Sequence, residues 1–128
     1  MANISAASSP QVARVILFVK QIEKVAAFYQ GCFGMLPRPG GTDKWLELAC
    51  PAGGCAVALH RASVGQKSGA AMKLVFGVED VRAFVSAAKV AGFEFGVIHE
   101  AEGFEFSNAK DPAGNSVQVS SRGMRRRA

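Results

Sequence analysis

The sequence predicts an α+β protein built from two copies of one βαβββ module. The first observation is a repeat: segment 15–22 recurs at 74–81, so that Val19 and Val78, for example, lie 59 positions apart. The second is a change of apolar spacing after each segment, from every second residue to every third or fourth. A repeat of this length cannot bury its own apolar face, so the two copies are expected to pair.

In the first module, residues 14–19 are rich in branched apolar side chains and are predicted to form a strand. The apolar residues of segment 22–33 lie at helical spacing, and Gly34 is typical of a helix end. Two further strands, joined by a Pro-Gly turn, are predicted at 44–50 and 55–61.

The second module repeats this order. A strand at 72–78 precedes a helix that Asp80 is predicted to cap, because its carboxylate can accept backbone N–H groups of the first turn. Gly92 is predicted to end that helix. Three further strands are predicted at 94–98, 104–109 and 116–120.

The length of 128 residues is that of one domain. The modules are predicted at about 13–61 and 70–121, with a polar linker at 62–69 and a basic tail at 122–128. Four arginines lie in this tail, so the residues before it carry only +1 of the total net charge of +5. A nucleic-acid-binding protein would spread basic residues over a folded face, so no specific nucleic-acid partner is predicted.

The sequence also bears on compartment and redox state. It has no apolar run of the roughly 20 residues that cross a bilayer, and residues 1–13 lack the blocks of an export signal. A cytoplasmic location without a membrane partner is therefore expected. The three cysteines, an odd number, favour reduced thiols. Cys32 is expected in the core, whereas Cys50 and Cys55 could face each other across the Pro-Gly turn.

Strand alternation divides the first strand of each module into two faces. One face is continuously apolar and is expected to pack on the helices. The other, called here the mixed face, carries Arg14, Ile16 and Phe18 in the first module and Lys73, Val75 and Gly77 in the second. Apolar surface with a few polar groups is typical of small-molecule sites. The predicted ligand-binding residues are Arg14, Phe18, His60, Lys73 and Gln118.

Two motifs occur in order within this repeat: Phe28-Tyr29 followed by Phe33-Gly34-Met35, and Asp111-Pro112-Ala113-Gly114-Asn115 before a strand. With them the chain resembles the vicinal oxygen chelate superfamily, which includes glyoxalase I, bleomycin-resistance proteins, fosfomycin-resistance enzymes and extradiol dioxygenases. The resemblance covers about residues 14–120. It implies paired modules that form a curved mixed sheet around a cavity, usually within a homodimer.

The resemblance also bears on metal binding. Metal-dependent members carry His or Gln on the first strand and Glu on the fourth strand of each module. These positions correspond here to Arg14, Ala58, Lys73 and Gln118. Arginine and lysine have no free lone pair near neutral pH, alanine has no donor, and one amide oxygen is insufficient. No metal and no other cofactor is therefore predicted, and metal-dependent glyoxalase I or dioxygenase chemistry is not expected.

Two interpretations of Arg14 and Lys73 stay open from the sequence. Cations that face a partly dry cleft need an anionic partner, so both could bind a carboxylate or phosphate of a small ligand. Alternatively, both lie near the rim and pair with acidic side chains of the protein itself, such as Glu47, Glu100 or Glu105.

The leading functional hypothesis is a metal-independent protein that binds or sequesters a small, anionic organic molecule, as drug-resistance members of the superfamily do. Bleomycin itself fits poorly, because that drug is cationic. The alternative is a glyoxalase-like lyase, isomerase or dioxygenase-related enzyme in which His60 or Glu47 replaces the metal. A third hypothesis is a domain whose paired modules serve mainly for dimerisation or protein contact. The sequence does not decide whether Glu47 and Trp45 face the cavity.

Overall fold

The computed structural model describes residues 12–65 and 72–124. In these ranges the element order is βαβββ followed by βαβββ, which confirms the predicted α+β class with two modules. No helix in the described ranges is long and apolar enough to cross a membrane. The elements are β1 Arg14–Val19, α1 Ile22–Phe33, β2 Leu36–Pro37, β3 Trp45–Ala49, β4 Ala56–Arg61, β5 Lys73–Gly77, α2 Val81–Val90, β6 His99–Ala101, β7 Phe104–Lys110 and β8 Ser116–Ser120.

The strands form two four-stranded mixed sheets that do not close into a barrel. The first sheet has the order β1-β4-β3-β2 and the second has the order β5-β8-β7-β6. In each sheet the first and last strands of the module are parallel, and the remaining pairs are antiparallel. The two modules therefore share one topology, and β1 and β5 each lie at the edge of their sheet.

The apolar core lies between the two sheets. Leu17 and Val19 of β1 and Val117 of β8 are almost fully buried and belong to one cluster, which also includes residues of α1. This is the face that strand alternation predicted to pack on the helices. The mixed faces lie on the opposite sides of both sheets. Within one chain they therefore point outward and do not face each other.

Helix α1 packs on its own sheet and also contacts the second module. Phe33, its last residue, stacks on Phe76 of β5 with ring centroids 3.8 Å apart. Tyr29, which is fully buried, donates a hydrogen bond from its hydroxyl to the Asp111 carboxylate at 2.8 Å. Asp111 begins the turn between β7 and β8. The two motifs that carry the family resemblance thus meet in this contact between modules.

Several local predictions can be compared with the structure. Asp80 caps α2 as predicted, since its carboxylate accepts a hydrogen bond from the Ala83 N–H at 3.0 Å. Gly34 ends α1 in the left-handed conformation, with φ of 66°. The predicted strand at 94–98 is wrong. Gly96 donates a backbone hydrogen bond to Asn108 of β7 at 2.8 Å, but the segment does not continue as a strand, and Phe95 packs its ring against Phe33 and Phe84. The short strand β2 was not predicted.

Parts of the predicted domain organisation lie outside the described residues. Residues 1–11 of the leader, 66–69 of the linker, 70–71 of the second module and 125–128 of the basic tail belong to this part. The three cysteines are free, and Cys32 is half-buried, so it lies at the edge of the core and not deep within it.

Candidate functional site

The first mixed face carries an ion cluster around Glu47. The Glu47 side chain is only 13% exposed and accepts a hydrogen bond from Arg14 Nε at 2.6 Å. It also accepts one from Arg38 Nη1. The two guanidinium groups, Arg38 first and Arg14 second, hold the pKa of the Glu47 carboxyl below its ordinary value. Arg14 thus has an acidic partner within its own chain, as the second interpretation of this residue expects.

The second mixed face carries a different polar cluster at the equivalent place. Lys73 Nζ donates to Asn108 Oδ1 at 3.2 Å, and Gln118 Nε2 donates to the same oxygen at 2.9 Å. No ion pair joins Lys73 to an acidic side chain within residues 12–65 and 72–124. Lys73 therefore has an amide partner and no carboxylate partner in the described part of the chain.

The acidic alternatives for Lys73 lie elsewhere, in a groove of about 850 Å³ between α2 and the β6–β7 hairpin. Glu100 and Glu105 both accept hydrogen bonds from Arg82, each at 2.9 Å. Glu79 and Asp80 also line this groove, so its acidic side chains outnumber Arg82 and it does not suit an anionic ligand. The mixed faces are the better candidates for a binding site.

The four positions that the family resemblance implies for a metal site lie on β1 and β4 of the first sheet and on β5 and β8 of the second. Ala58 lies opposite Ile16 on β1, and Gln118 lies opposite Val75 on β5. In the described ranges, no three His, Cys, Asp or Glu side chains form a group that could hold a metal ion. Of the four positions only Gln118 has a donor oxygen. These residues do not fit a divalent cation.

An aromatic group occupies the other end of the first mixed face. The His60 ring lies 5.1 Å from the Phe18 ring and 6.0 Å from the Trp45 ring, measured between centroids. His60 Nδ1 lies 2.9 Å from the Arg61 carbonyl oxygen. Since a carbonyl only accepts, Nδ1 carries a proton in this contact, and Nε2 of a neutral ring keeps its lone pair. Trp45 and Glu47 share this face.

The second mixed face contains a pocket of about 400 Å³. Its floor is aromatic: the rings of Phe104 and Phe106 lie 6.0 Å apart, and the Arg122 guanidinium lies 5.3 Å above the Phe104 ring. Gly77 lines the pocket where the first module has Phe18, and the Met124 side chain packs against this glycine. The lining residues are Val75, Gly77, Phe104, Phe106, Gln118, Ser120 and Arg122.

The five predicted binding residues do not form one group within a chain. Phe18 and His60 are in contact on the first sheet, Lys73 and Gln118 share Asn108 on the second, and Arg14 is paired with Glu47. The sequence analysis missed the pocket residues Phe104, Phe106 and Arg122. Alternation along β7 was the available signal, because Phe104, Phe106 and Asn108 share the face of Gln118.

The fold and the mixed faces define a two-module protein with a ligand-sized pocket and without a metal-binding residue set in the described ranges. The chain belongs to the Glyoxalase/Bleomycin resistance protein/Dioxygenase superfamily, whose family model matches residues 11–119. This confirms the resemblance that the motifs indicated. No curated protein matches the sequence.

Several solved structures have the same fold. TnmS3, an antibiotic binding protein from Streptomyces sp. CB03234, is 20% identical, with a TM-score of 0.73 over 88% of this chain and 95% of that chain. Lactoylglutathione lyase from Agrobacterium tumefaciens is 18% identical, with a TM-score of 0.69 over 88% and 93%. An integron cassette protein from the mobile metagenome of the Halifax Harbour sewage outfall is 18% identical, with a TM-score of 0.73 over 88% and 99%. At these identities the likeness concerns the fold alone.

Proposed function

We propose that the protein binds or sequesters a small, anionic aromatic molecule without a metal ion, in the pocket of the second mixed face. The observation that carries this proposal is the combination of Phe104, Phe106 and Arg122 around one pocket of about 400 Å³. Two phenyl rings offer stacking surface to a planar ligand, and a guanidinium can hold a carboxylate by two hydrogen bonds. The volume lies within the usual range for small-molecule sites.

The charges around the pocket favour an anion. Arg122 lines the pocket. Lys73 lies beside the pocket, because Lys73 and the lining residue Gln118 both donate hydrogen bonds to Asn108 Oδ1. No acidic side chain lines the pocket among the described residues. The fold likeness to an antibiotic binding protein supports the binding class and says nothing of the ligand. The cytoplasmic location expected from the sequence is part of this proposal.

A second copy of the chain completes the site in this proposal. The pocket opens onto a face where Val75 is 57% exposed. On the first mixed face, Ile16 and Phe18 are 41% and 39% exposed. Exposed apolar patches of this kind mark contact surfaces. A symmetric dimer would set the first mixed face of each copy over the second mixed face of the other, which gives two equal sites.

The ligand proposal is tested with 1-naphthoate as the probe. We expect saturable binding by calorimetry, and a loss of affinity of about tenfold in Arg122→Gln, equivalent to about 1.4 kcal/mol. Arg82→Gln is the matched control, because Arg82 is also exposed but its partners line the other groove. Equal affinity for the uncharged analogue 1-naphthalenemethanol, or an unchanged affinity in Arg122→Gln, would contradict the proposal.

The dimer proposal is tested by sedimentation velocity. The wild-type protein is expected at twice the mass of one chain, and Val75→Asp at the mass of a single chain, since a carboxylate would be buried between the copies. Val90→Asp, the same change at an exposed position on α2, is expected to stay dimeric. A wild-type protein at the single-chain mass at every concentration would rule out a shared site.

An enzyme remains the second candidate, and the contact between His60 and the Arg61 carbonyl is the observation that favours it. Nε2 of a neutral His60 ring, beside Phe18, is available to accept a proton. Glu47 is the weaker candidate, because its two arginine partners stabilise the ionised form. Turnover of a dicarbonyl or a thiol adduct that His60→Ala abolishes would favour the enzyme. A saturable thermal shift with Ni, Zn, Mn or Fe, reversed by EDTA, would instead contradict metal independence.

A further inference from the structure

The structure contains a second cavity, lined mainly from the core side of the sheets and from the Cys50–Cys55 turn. It has a volume of about 540 Å³ and lies between the modules. Val15 and Val57 line it from the first sheet, and strand β5 lines it from the second. The end of α1 contributes Cys32 and Phe33. The cavity is thus formed where the edge strands of the two sheets approach each other.

The lining of this intermodule cavity is chemically uniform. None of the described residues around it has a charged, amide or hydroxyl side chain, in contrast to the pocket that contains Arg122 and Gln118. Its members are valine, leucine, phenylalanine, methionine, alanine, proline, glycine and cysteine. Such a lining gives a polar ligand no hydrogen-bond partner except main-chain groups and thiols, so desolvation would exclude charged molecules.

All three cysteines of the chain line the same cavity. They are free, and Cys50 and Cys55 flank the turn at its exposed end, where Cys50 Sγ lies 3.8 Å from the Cys55 carbonyl oxygen. Burial raises the pKa of the Cys32 thiol to about 11, so this thiol is neutral at physiological pH. The turn residues Pro51 and Gly53 are exposed and also line the cavity, which therefore reaches the surface.

We infer that the intermodule cavity is a second ligand site, which binds an uncharged apolar molecule through the opening at the Cys50–Cys55 turn. A space of about 540 Å³ that opens to the surface lies within the size range of small-molecule sites. Apolar cavities stay dry and bind small apolar molecules. Val75 and Gly77 of β5 line both this cavity and the pocket proposed for the anionic ligand, but the other lining residues of the two spaces differ.

The test uses naphthalene as the probe and the three thiols as reporters of its position. The protein is titrated with naphthalene, and its alkylation by iodoacetamide is followed at each cysteine by peptide mass spectrometry. At ten times the dissociation constant, we expect the alkylation rate to fall about tenfold at all three thiols, because only the empty cavity admits the reagent. The anion 1-naphthoate is expected to leave these rates unchanged.

Two variants with the same chemical change locate the effect. Val15→Phe fills the cavity from β1 and is expected to abolish the protection by naphthalene. Val90→Phe adds the same ring at an exposed position of α2 and is expected to retain it. Should Val15→Phe fail to fold, Cys50→Phe at the rim repeats the test with Cys32 and Cys55 as reporters. Absence of saturable naphthalene binding, or protection that persists in the filled variants, would overturn the inference.

Discussion

Replacing Asp111 with alanine is expected to lower the free energy of unfolding by about 3–5 kcal/mol, measured by urea denaturation. The Asp111 carboxylate is buried and accepts four hydrogen bonds. They come from the Tyr29 hydroxyl at 2.8 Å, the Asn115 side chain at 2.7 Å, and the backbone N–H groups of Ala113 at 2.9 Å and Asn115 at 2.8 Å. Alanine would leave these donors without an acceptor, and a buried unsatisfied donor costs about 1–3 kcal/mol.

Tyr29→Phe measures the contribution of the hydrogen bond between the modules apart from the contribution of the hydrogen bonds within the turn. It removes one of the four donors and keeps the ring, so we expect a loss of about 1.5–3 kcal/mol, the range for a hydrogen bond to a charged group. If Tyr29→Phe loses less stability than Asp111→Ala, the difference between the two losses reports the hydrogen bonds within the turn. A loss below about 0.5 kcal/mol in both variants would contradict the stabilising role of these hydrogen bonds.

The same hydrogen bond predicts a dependence on alkaline pH. Burial first, and the Asp111 charge second, raise the pKa of the Tyr29 hydroxyl above its ordinary value. The stabilisation is therefore complete below the unfolded-state pKa of about 10 and is lost as the pH rises above it, by up to about 1.4 kcal/mol per pH unit. The stability difference between wild type and Tyr29→Phe is expected to narrow above about pH 10. Cys32 is present in both proteins and cancels in this comparison.

Phe33→Ala is expected to lower the free energy of unfolding by about 3 kcal/mol, the lower end of the range for loss of a phenyl ring, because Phe33 is partly buried. Phe33 joins aromatic residues of both modules, as Phe28 and Tyr29 also do. It stacks on Phe76 at 3.8 Å and on Phe84 at 5.7 Å, and it meets Phe28 and Phe95 edge to face at 6.1 Å and 6.5 Å.

Phe33→Leu is the matched variant for this prediction. Leucine keeps most of the apolar volume and loses the ring geometry, which is worth about 0.5–1.5 kcal/mol for an aromatic pair. We therefore expect Phe33→Leu to recover more than half of the loss in a urea denaturation series. Equal losses in the two variants would mean that stacking, and not volume, dominates at this position.

The sequence alone predicted those structural features that depend on residues close to one another along the chain. Alternation along β1 assigned Leu17 and Val19 to the core and Phe18 to the opposite face, because a strand turns successive side chains to opposite sides. The Asp80 cap was equally local. The strand at 94–98 failed for the opposite reason, since the position of Phe95 follows from rings that lie elsewhere in the chain.

The candidate site depends on features that no local pattern contains. Arg14 and Glu47 are 33 positions apart, and their pairing follows from the register of three strands. The alternation of apolar and polar residues along the strands is the same whether two modules enclose a cavity within one chain or pack through their helices. The sequence therefore predicted the β1 and β5 residues of each mixed face, and only the structure separates the two faces onto opposite sides of the core.

The burial of Ala58 bears on how such a protein can change over generations. Ala58 has no exposed surface and lies directly across the strand pair from Glu47. The family resemblance implies a glutamate at this position in metal-dependent members. A glutamate in place of Ala58 would lie beside the Glu47 carboxylate, and its side chain would have to fit into a space that neighbouring residues already fill. Ala58→Glu is therefore expected to be tolerated only when Glu47 is replaced at the same time, so these two positions are coupled in any redesign of this site.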